Sequence, residues 1–131
     1  MSSKMKISQK TSEQLDYLAD ALKIRRNIIC RMALAASLDQ NDAPSTMFED
    51  SSGQEFNKPT ILGTDEPLFV ALVTQHYGKR IPDDEMFSTY MRAEISNGIG
   101  ILYTLYRRVN SPVQFFETLC NHSNGNEIVL N

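Results

Sequence analysis

MKISQKTSEQLDYLADALKIRRNIICRMALAASL, Met5 to Leu38, is the stretch whose reading decides the fold: a short strand, a helix, a turn and a second helix. Met5, Ile7 and Gln9 fall on one side of an extended segment, with Lys4, Lys6, Ser8 and Lys10 on the other. A lone strand cannot satisfy its ladder hydrogen bonds. No strand of comparable quality follows within thirty residues. The expected partner is therefore the same strand of a second copy, antiparallel across a two-fold axis. That pairing would make a ribbon with one apolar and one lysine-bearing face.

The helices announce themselves by caps and periodicity. Thr11 and Gln14 have capping-box spacing, with Ser12 a competing cap, and Leu15, Leu18, Ala19 and Leu22 recur on one helical face. Lys23 and Ile24 make the turn. The second helix begins between Arg25 and Asn27 and is expected to bury Ile28, Ile29, Met32, Ala33, Ala36 and part of Leu38. Arg25 and Arg26 sit where the helix dipole already places positive charge, an arrangement costing a few tenths to roughly 1 kcal/mol each unless an anion neutralises them. A phosphate would do so. Solvated arginines, paired with Asp20 one turn earlier, are the bland alternative.

LADALKIRRNIICRMAL, Leu18 to Leu34, resembles the helical part of a ribbon-helix-helix element, a class whose paired strands enter the DNA major groove. From about Met5 to its end, the whole sequence more closely resembles the small E subunit of bacterial DNA phosphorothioation systems, which replace a non-bridging phosphate oxygen of DNA with sulfur. The resemblance implies a non-catalytic accessory subunit. It would bind duplex DNA, with nicked duplex a candidate preferred form, while the sulfur-transfer and ATPase-like subunits of the system do the chemistry.

Composition fits that picture. A chain of 131 residues, 41% hydrophobic, is expected to be one domain with a modest core, part of it lying between subunits. No run of eighteen apolar residues and no charged-then-apolar leader is present, so a cytoplasmic protein without a membrane span is expected. Net charge is −3, but it is unevenly spread: residues 1–31 hold seven Lys and Arg against three acids, and the remainder six against thirteen. Any polyanion would meet the N-terminal end. Lys4, Lys6, Ser8, Lys10, Lys23, Arg25, Arg26 and Asn27 are the candidate DNA contacts. Lysines against phosphates would bind any duplex with a steep salt dependence, and Ser8 is the only polar companion on the ribbon face, so backbone binding is favoured over base reading.

Residues 39–64 break the pattern. They are polar, mildly acidic and rich in Ser, Asn, Pro and Gly, with anchors at Met47, Phe48, Phe56, Ile61 and Leu62, and read as an irregular loop docked on a neighbour. Residues 65–131 form the helical part. TDEPLFVALVTQHYG, from Thr64, predicts a buried helix of about three turns carrying Leu68, Phe69, Ala71, Leu72, Val73 and His76, stopped by Gly78. From Ile81 to Val109 one long helix or two are expected, with a break or a close backbone contact at Gly98 and Gly100, each of which weakens a helix by about 1 kcal/mol. A last helix starts at Ser111 with Pro112 inside it and runs through Phe115, Phe116, Leu119 and Cys120. The closing NGNEIVLN reads as a turn and a short β-prone tail.

Catalytic chemistry is not expected. Cys120 and His122 are close in sequence but fall on different sides of a helix end, and His76 lies on an apolar helix. Asp83, Asp84 and Glu85 are explained by an acidic first turn after Pro82, so no metal and no cofactor are expected. Cys30 and Cys120 read as a reduced, structural pair of residues. The overall expectation is a mainly α, oligomeric fold: a ribbon-helix-helix-like element over residues 4–38, then a helical remainder, as a dimer or a dimer of dimers. A ribbon-helix-helix repressor of a palindromic operator is the runner-up. A protein adaptor with a basic interface and a cysteine sulfur carrier follow.

Overall fold

A computed structural model describes residues 4–40, 44 and 50–122. Strand β1 (Lys4–Lys6) leads into helix α1 (Gln9–Leu22) and helix α2 (Arg26–Leu38); strand β2 (Glu55–Asn57), short helix α3 (Lys58–Leu62) and helix α4 (Glu66–Tyr77) follow. One turn, α5 (Asp83–Glu85), a π-helical segment (Met86–Met91), helix α6 (Arg92–Val109) and helix α7 (Pro112–His122) complete the order.

The first strand corrects the expected pairing. β1 pairs antiparallel with β2 of its own chain, with Lys4 opposite Asn57, Met5 opposite Phe56 and Lys6 opposite Glu55. Residues 55–62, expected to be irregular, supply a strand and a helix. They were hard to see because Glu55, Phe56 and Asn57 are too few to show an alternation. The strand needs no second copy for this edge.

Helix α1 begins two residues before Thr11. Ser8 is its N-cap, the hydroxyl accepting from the Thr11 amide at 3.1 Å, which satisfies one of the orphan donors of the first turn. Ser8 and Lys10 are therefore a cap and a helical residue, not the continuation of a lysine-bearing strand face. Leu15, Leu18 and Leu22 point into the core, and Lys23 ends the helix in the left-handed region at φ 58°. Helix α2 buries Ile29, Cys30, Ala33, Leu34 and Ser37. Ile28, expected inside, is exposed, and Met32, Ala36 and Leu38 pack partly against the core.

The core is built where α2 crosses α6. Helix α6 is continuous through both glycines, which corrects the expected break and selects the close contact: a Cβ on Gly98 would lie 1.8 Å from the Ala33 carbonyl oxygen. Backbones approach that closely only without a side chain between them. Next to it Asn97 Nδ2 donates to the buried Ser37 hydroxyl at 2.9 Å. The irregularity in this run lies earlier, in the π-helical turns from Met86 to Met91.

Helix α4 starts and stops as its signals predict, with Pro67 in the first turn and Gly78 left-handed at φ 65°. Its burial is a correction: Phe69 and Val73 are buried, whereas Leu68, Ala71 and Leu72 are exposed. On α7, Phe115 is buried and stacks edge-on against Tyr106. The NGNEIVLN tail lies outside the described residues, as do the expected anchors Met47 and Phe48.

Candidate nucleic-acid interface

The basic residues fall into two groups at opposite ends of α1. Lys4 and Lys6 are on the outer face of β1, with Met5 between them buried, and Lys10 is exposed in the first turn of α1. Lys23, Arg25, Arg26 and Asn27 surround the α1–α2 turn at the far end. Helix α1, fourteen residues long, spans roughly 20 Å from end to end at 1.5 Å per residue. Duplex DNA carries about one phosphate charge per 1.7 Å of axis, so that span covers on the order of a dozen phosphates.

The first group is held by a clamp that no periodicity reveals. Arg92, 4% exposed at the start of α6, donates through Nε to the Lys6 carbonyl and through Nη2 to the Asp50 carbonyl at 2.8 Å and to Ser51 Oγ at 3.2 Å. Burial pulls its pKa down and the nearby Asp50 carboxylate partly restores it. The 50–54 segment is bound to α1 as well. Ile7 exchanges backbone hydrogen bonds with Gln54 and Gly53, and the Gln54 amide donates to Ser12 Oγ at 2.6 Å. Gly53 fits only as glycine, since a Cβ there would sit 2.4 Å from the Ser8 carbonyl oxygen. Ser12, read from sequence as a rival cap, is an anchor for this segment.

The clamp also settles what occupies the N-terminus of α1. Asp50 Oδ1 accepts from the Gln9 amide at 3.0 Å and from the Ser52 amide and hydroxyl at 3.0 and 2.8 Å. The Ser52 and Gln9 bonds hold the Asp50 carboxyl below the usual range. With Ser8 and Asp50 in place, the amides they bind are already taken. Glu55 stands across the ladder from Lys6 and offsets part of its charge.

The second group is more open. Arg25 is the N-cap of α2, with no side-chain cap hydrogen bond and no acid in the first turn. Arg26 pairs with Asp16, not Asp20, with Nε and Oδ1 2.6 Å apart. Burial alone would raise the Asp16 pKa, but hydrogen bonds from Arg26 and Gln54 outweigh it and the carboxyl lies below its ordinary value. Asp20 meets Lys23 instead, at 3.6 Å and in solvent. Asn27 Nδ2 donates to the Thr60 carbonyl at 3.3 Å, tying α2 to α3. Arg25 and Lys10 are exposed cations, whereas Arg26 and Asn27 are partly committed to the fold.

Elsewhere, burial pushes the Cys30 thiol up to about 12, far from a reactive thiolate. Among the described residues no group of three or more His, Cys, Asp and Glu side chains is placed to hold a metal ion. Among them too, no helix is long and apolar enough to cross a membrane.

Residues 4–108 match the family model of DNA sulphur modification protein DndE. This chain belongs to the DndE family. The match takes in both basic groups and the Arg92 clamp and ends just before α7. The fold is similar to the crystal structure of DndE from Escherichia coli B7A, a protein involved in DNA phosphorothioation modification, at a TM-score of 0.61 and 22% identity. That alignment covers 76% of this chain and 96% of the other. A DndE mutant with two glycines changed to lysine matches with the same values. No curated protein matches. The likeness to the small subunit of phosphorothioation systems, legible in the sequence, is thereby shown; the ribbon-helix-helix likeness is confined to the order strand, helix, helix.

Proposed function

We propose that this DndE-family chain is a non-catalytic, DNA-binding accessory subunit of a DNA phosphorothioation system. It binds the duplex backbone through Lys4, Lys6 and Lys10 at one end of α1 and Lys23, Arg25 and Arg26 at the other, with nicked duplex the preferred form. The carrying observation is that an acidic chain of net charge −3 concentrates its basic residues at the two ends of one helix inside the family-matched region. A backbone contact needs positive charge at phosphate spacing and no base-reading fork. A cytoplasmic oligomer working beside the other subunits of the system belongs to the same reading. A sulfur-carrier role for Cys30 is disfavoured by its burial. The repressor reading is the weaker one, because β2 of the same chain supplies β1 with a ladder partner.

The test is a salt titration of binding to intact random duplex, the same duplex with one nick, and single strand. The reading expects a steep fall of affinity with salt and tighter binding of the nicked form. Binding of one palindrome about a thousandfold above random duplex would favour the repressor instead, and no binding at physiological salt would remove DNA contact from the isolated protein.

A further inference from the structure

The proposed preference for a nicked duplex asks for something that cations do not supply. A nick opens one backbone link but leaves the phosphate charge along the helix almost unchanged, so Lys and Arg side chains meet nearly the same field on nicked and intact DNA. What the break newly offers is a base step free to unstack, and an aromatic ring is the side chain that takes up a freed base face. Two large aromatic side chains are exposed among the described residues. Phe116 lies on α7, outside the family-matched stretch, and Tyr17 lies in the body of α1, the helix that joins the two basic groups.

Tyr17 is held so as to present its ring. It is 38% exposed, yet it makes edge-on contacts with Tyr103 at 5.4 Å and with the buried Tyr106 at 6.0 Å. Arg107 lies over it, with Cζ 5.8 Å from the ring centre, and is itself steadied by donating through Nη1 to the Tyr103 hydroxyl at 2.9 Å. Lys10 shares the Tyr17 face of α1, two turns and roughly 10 Å before it, which is about three base steps of 3.4 Å. The acids that flank Tyr17 are answered within the helix and its cap: Glu13 accepts from Gln9 Nε2 at 3.3 Å, and Asp20 pairs with Lys23. We infer that the Tyr17 ring, with Arg107 beside it, is a stacking platform for a DNA base freed at a strand break. This rests on the DNA-binding reading and names the group that makes a nick different from intact duplex.

The experiment uses the full chain and two duplexes of one length and sequence, intact and singly nicked, each with an iodouracil base at the position of the nick. Tyr17→Ala lowers affinity for the nicked duplex at least about fivefold, the low end of what one stacked base contributes, and leaves affinity and salt slope on the intact duplex unchanged. Tyr17→Phe and Tyr17→Trp keep the preference, as does the exposed control Phe116→Ala. Under ultraviolet light the nicked duplex crosslinks to Tyr17, located by mass spectrometry of the digested adduct, and the intact duplex does not. An equal loss on both duplexes is what a damaged fold would give, and it overturns the inference. A nick preference that survives Tyr17→Ala, with no crosslink at Tyr17, means that the flexibility of the break is read instead; it overturns the inference and leaves the proposed function standing. Equal affinity of wild type for the two duplexes overturns the platform and the nick preference but leaves backbone binding, and absence of binding to either overturns all three.

Discussion

Gly98→Ala should destabilise the protein although it replaces a helix-weakening residue with the best helix former. In an exposed helix the exchange gains about 1 kcal/mol. At Gly98 the added Cβ meets the Ala33 carbonyl oxygen at 1.8 Å, the carbonyl carbon at 2.3 Å and Cα at 2.7 Å. All of these are backbone atoms and cannot rotate aside, so α2 and α6 must separate by more than about 1 Å to restore ordinary contact distances. A gap of that size forfeits roughly a quarter to a half of the dispersion energy along the seam, and overpacking of this kind costs roughly 1–3 kcal/mol or more. The sign is decided by the seam: a net loss of about 2 kcal/mol, a large part of the roughly 5–15 kcal/mol of a whole domain. Gly100, two residues on, is the internal control. A Cβ there meets nothing within 4 Å, so Gly100→Ala should gain up to about 1 kcal/mol. Urea denaturation followed by circular dichroism at fixed protein concentration measures both. A Gly98→Ala variant as stable as wild type would refute the close-contact argument, and equal shifts for the two glycines would show that propensity alone governs this helix.

Replacing Arg92 with Met should cost about 2–4 kcal/mol, because hydrogen bonds from a charged donor to the Lys6 and Asp50 carbonyls and Ser51 are lost in a buried site. Amide exchange should rise first at Ile7 and Gly53, and unchanged protection there would contradict the clamp. Glu94, fully buried on α6, has its pKa raised by burial, with His76 at 3.5 Å pulling the other way. A carboxyl raised on folding contributes stability below its unfolded value near 4.5 and loses it as pH climbs through the folded value. Glu94→Gln should therefore gain on wild type as pH rises above 4.5, and a difference constant with pH would count against it. Thiol titration of the native protein should label the exposed Cys120 quickly and Cys30, held at about 12, only on unfolding; rapid labelling of both would mean that the α2–α6 seam opens freely.

What could be read from the sequence was whatever is encoded within a helical turn or two. Leu15, Leu18 and Leu22 marked α1, Gly78 and Pro67 bounded α4, and Pro112 opened α7, each by a local mechanism of spacing, capping or fixed φ. Partners distant in the chain were not legible. The Glu55–Asn57 strand is three residues long, and nothing in Arg92 shows that its guanidinium reaches back to Lys6 and Asp50. Ser8 was misread for the same reason, since strand alternation and an N-cap place the same serine beside the same lysines. The apolar run of α4 reads as buried, whereas Phe69 and Val73 are buried and Leu68 and Leu72 are exposed. Of the candidate DNA contacts, the sequence located the basic end but could not separate the exposed Lys10 and Arg25 from Arg26, committed to Asp16, and Asn27, committed to Thr60.

The most direct test of DNA backbone binding compares the salt slope of wild type with that of a Lys6→Ala, Lys10→Ala, Arg25→Ala variant on one nicked duplex. Each lost phosphate contact should lower the slope of log affinity against log salt by about 0.9. The account predicts a drop of about two to three in that slope, with folding unchanged because all three side chains are exposed. A variant that binds with the wild-type slope and affinity would contradict it and assign the basic end to a protein partner.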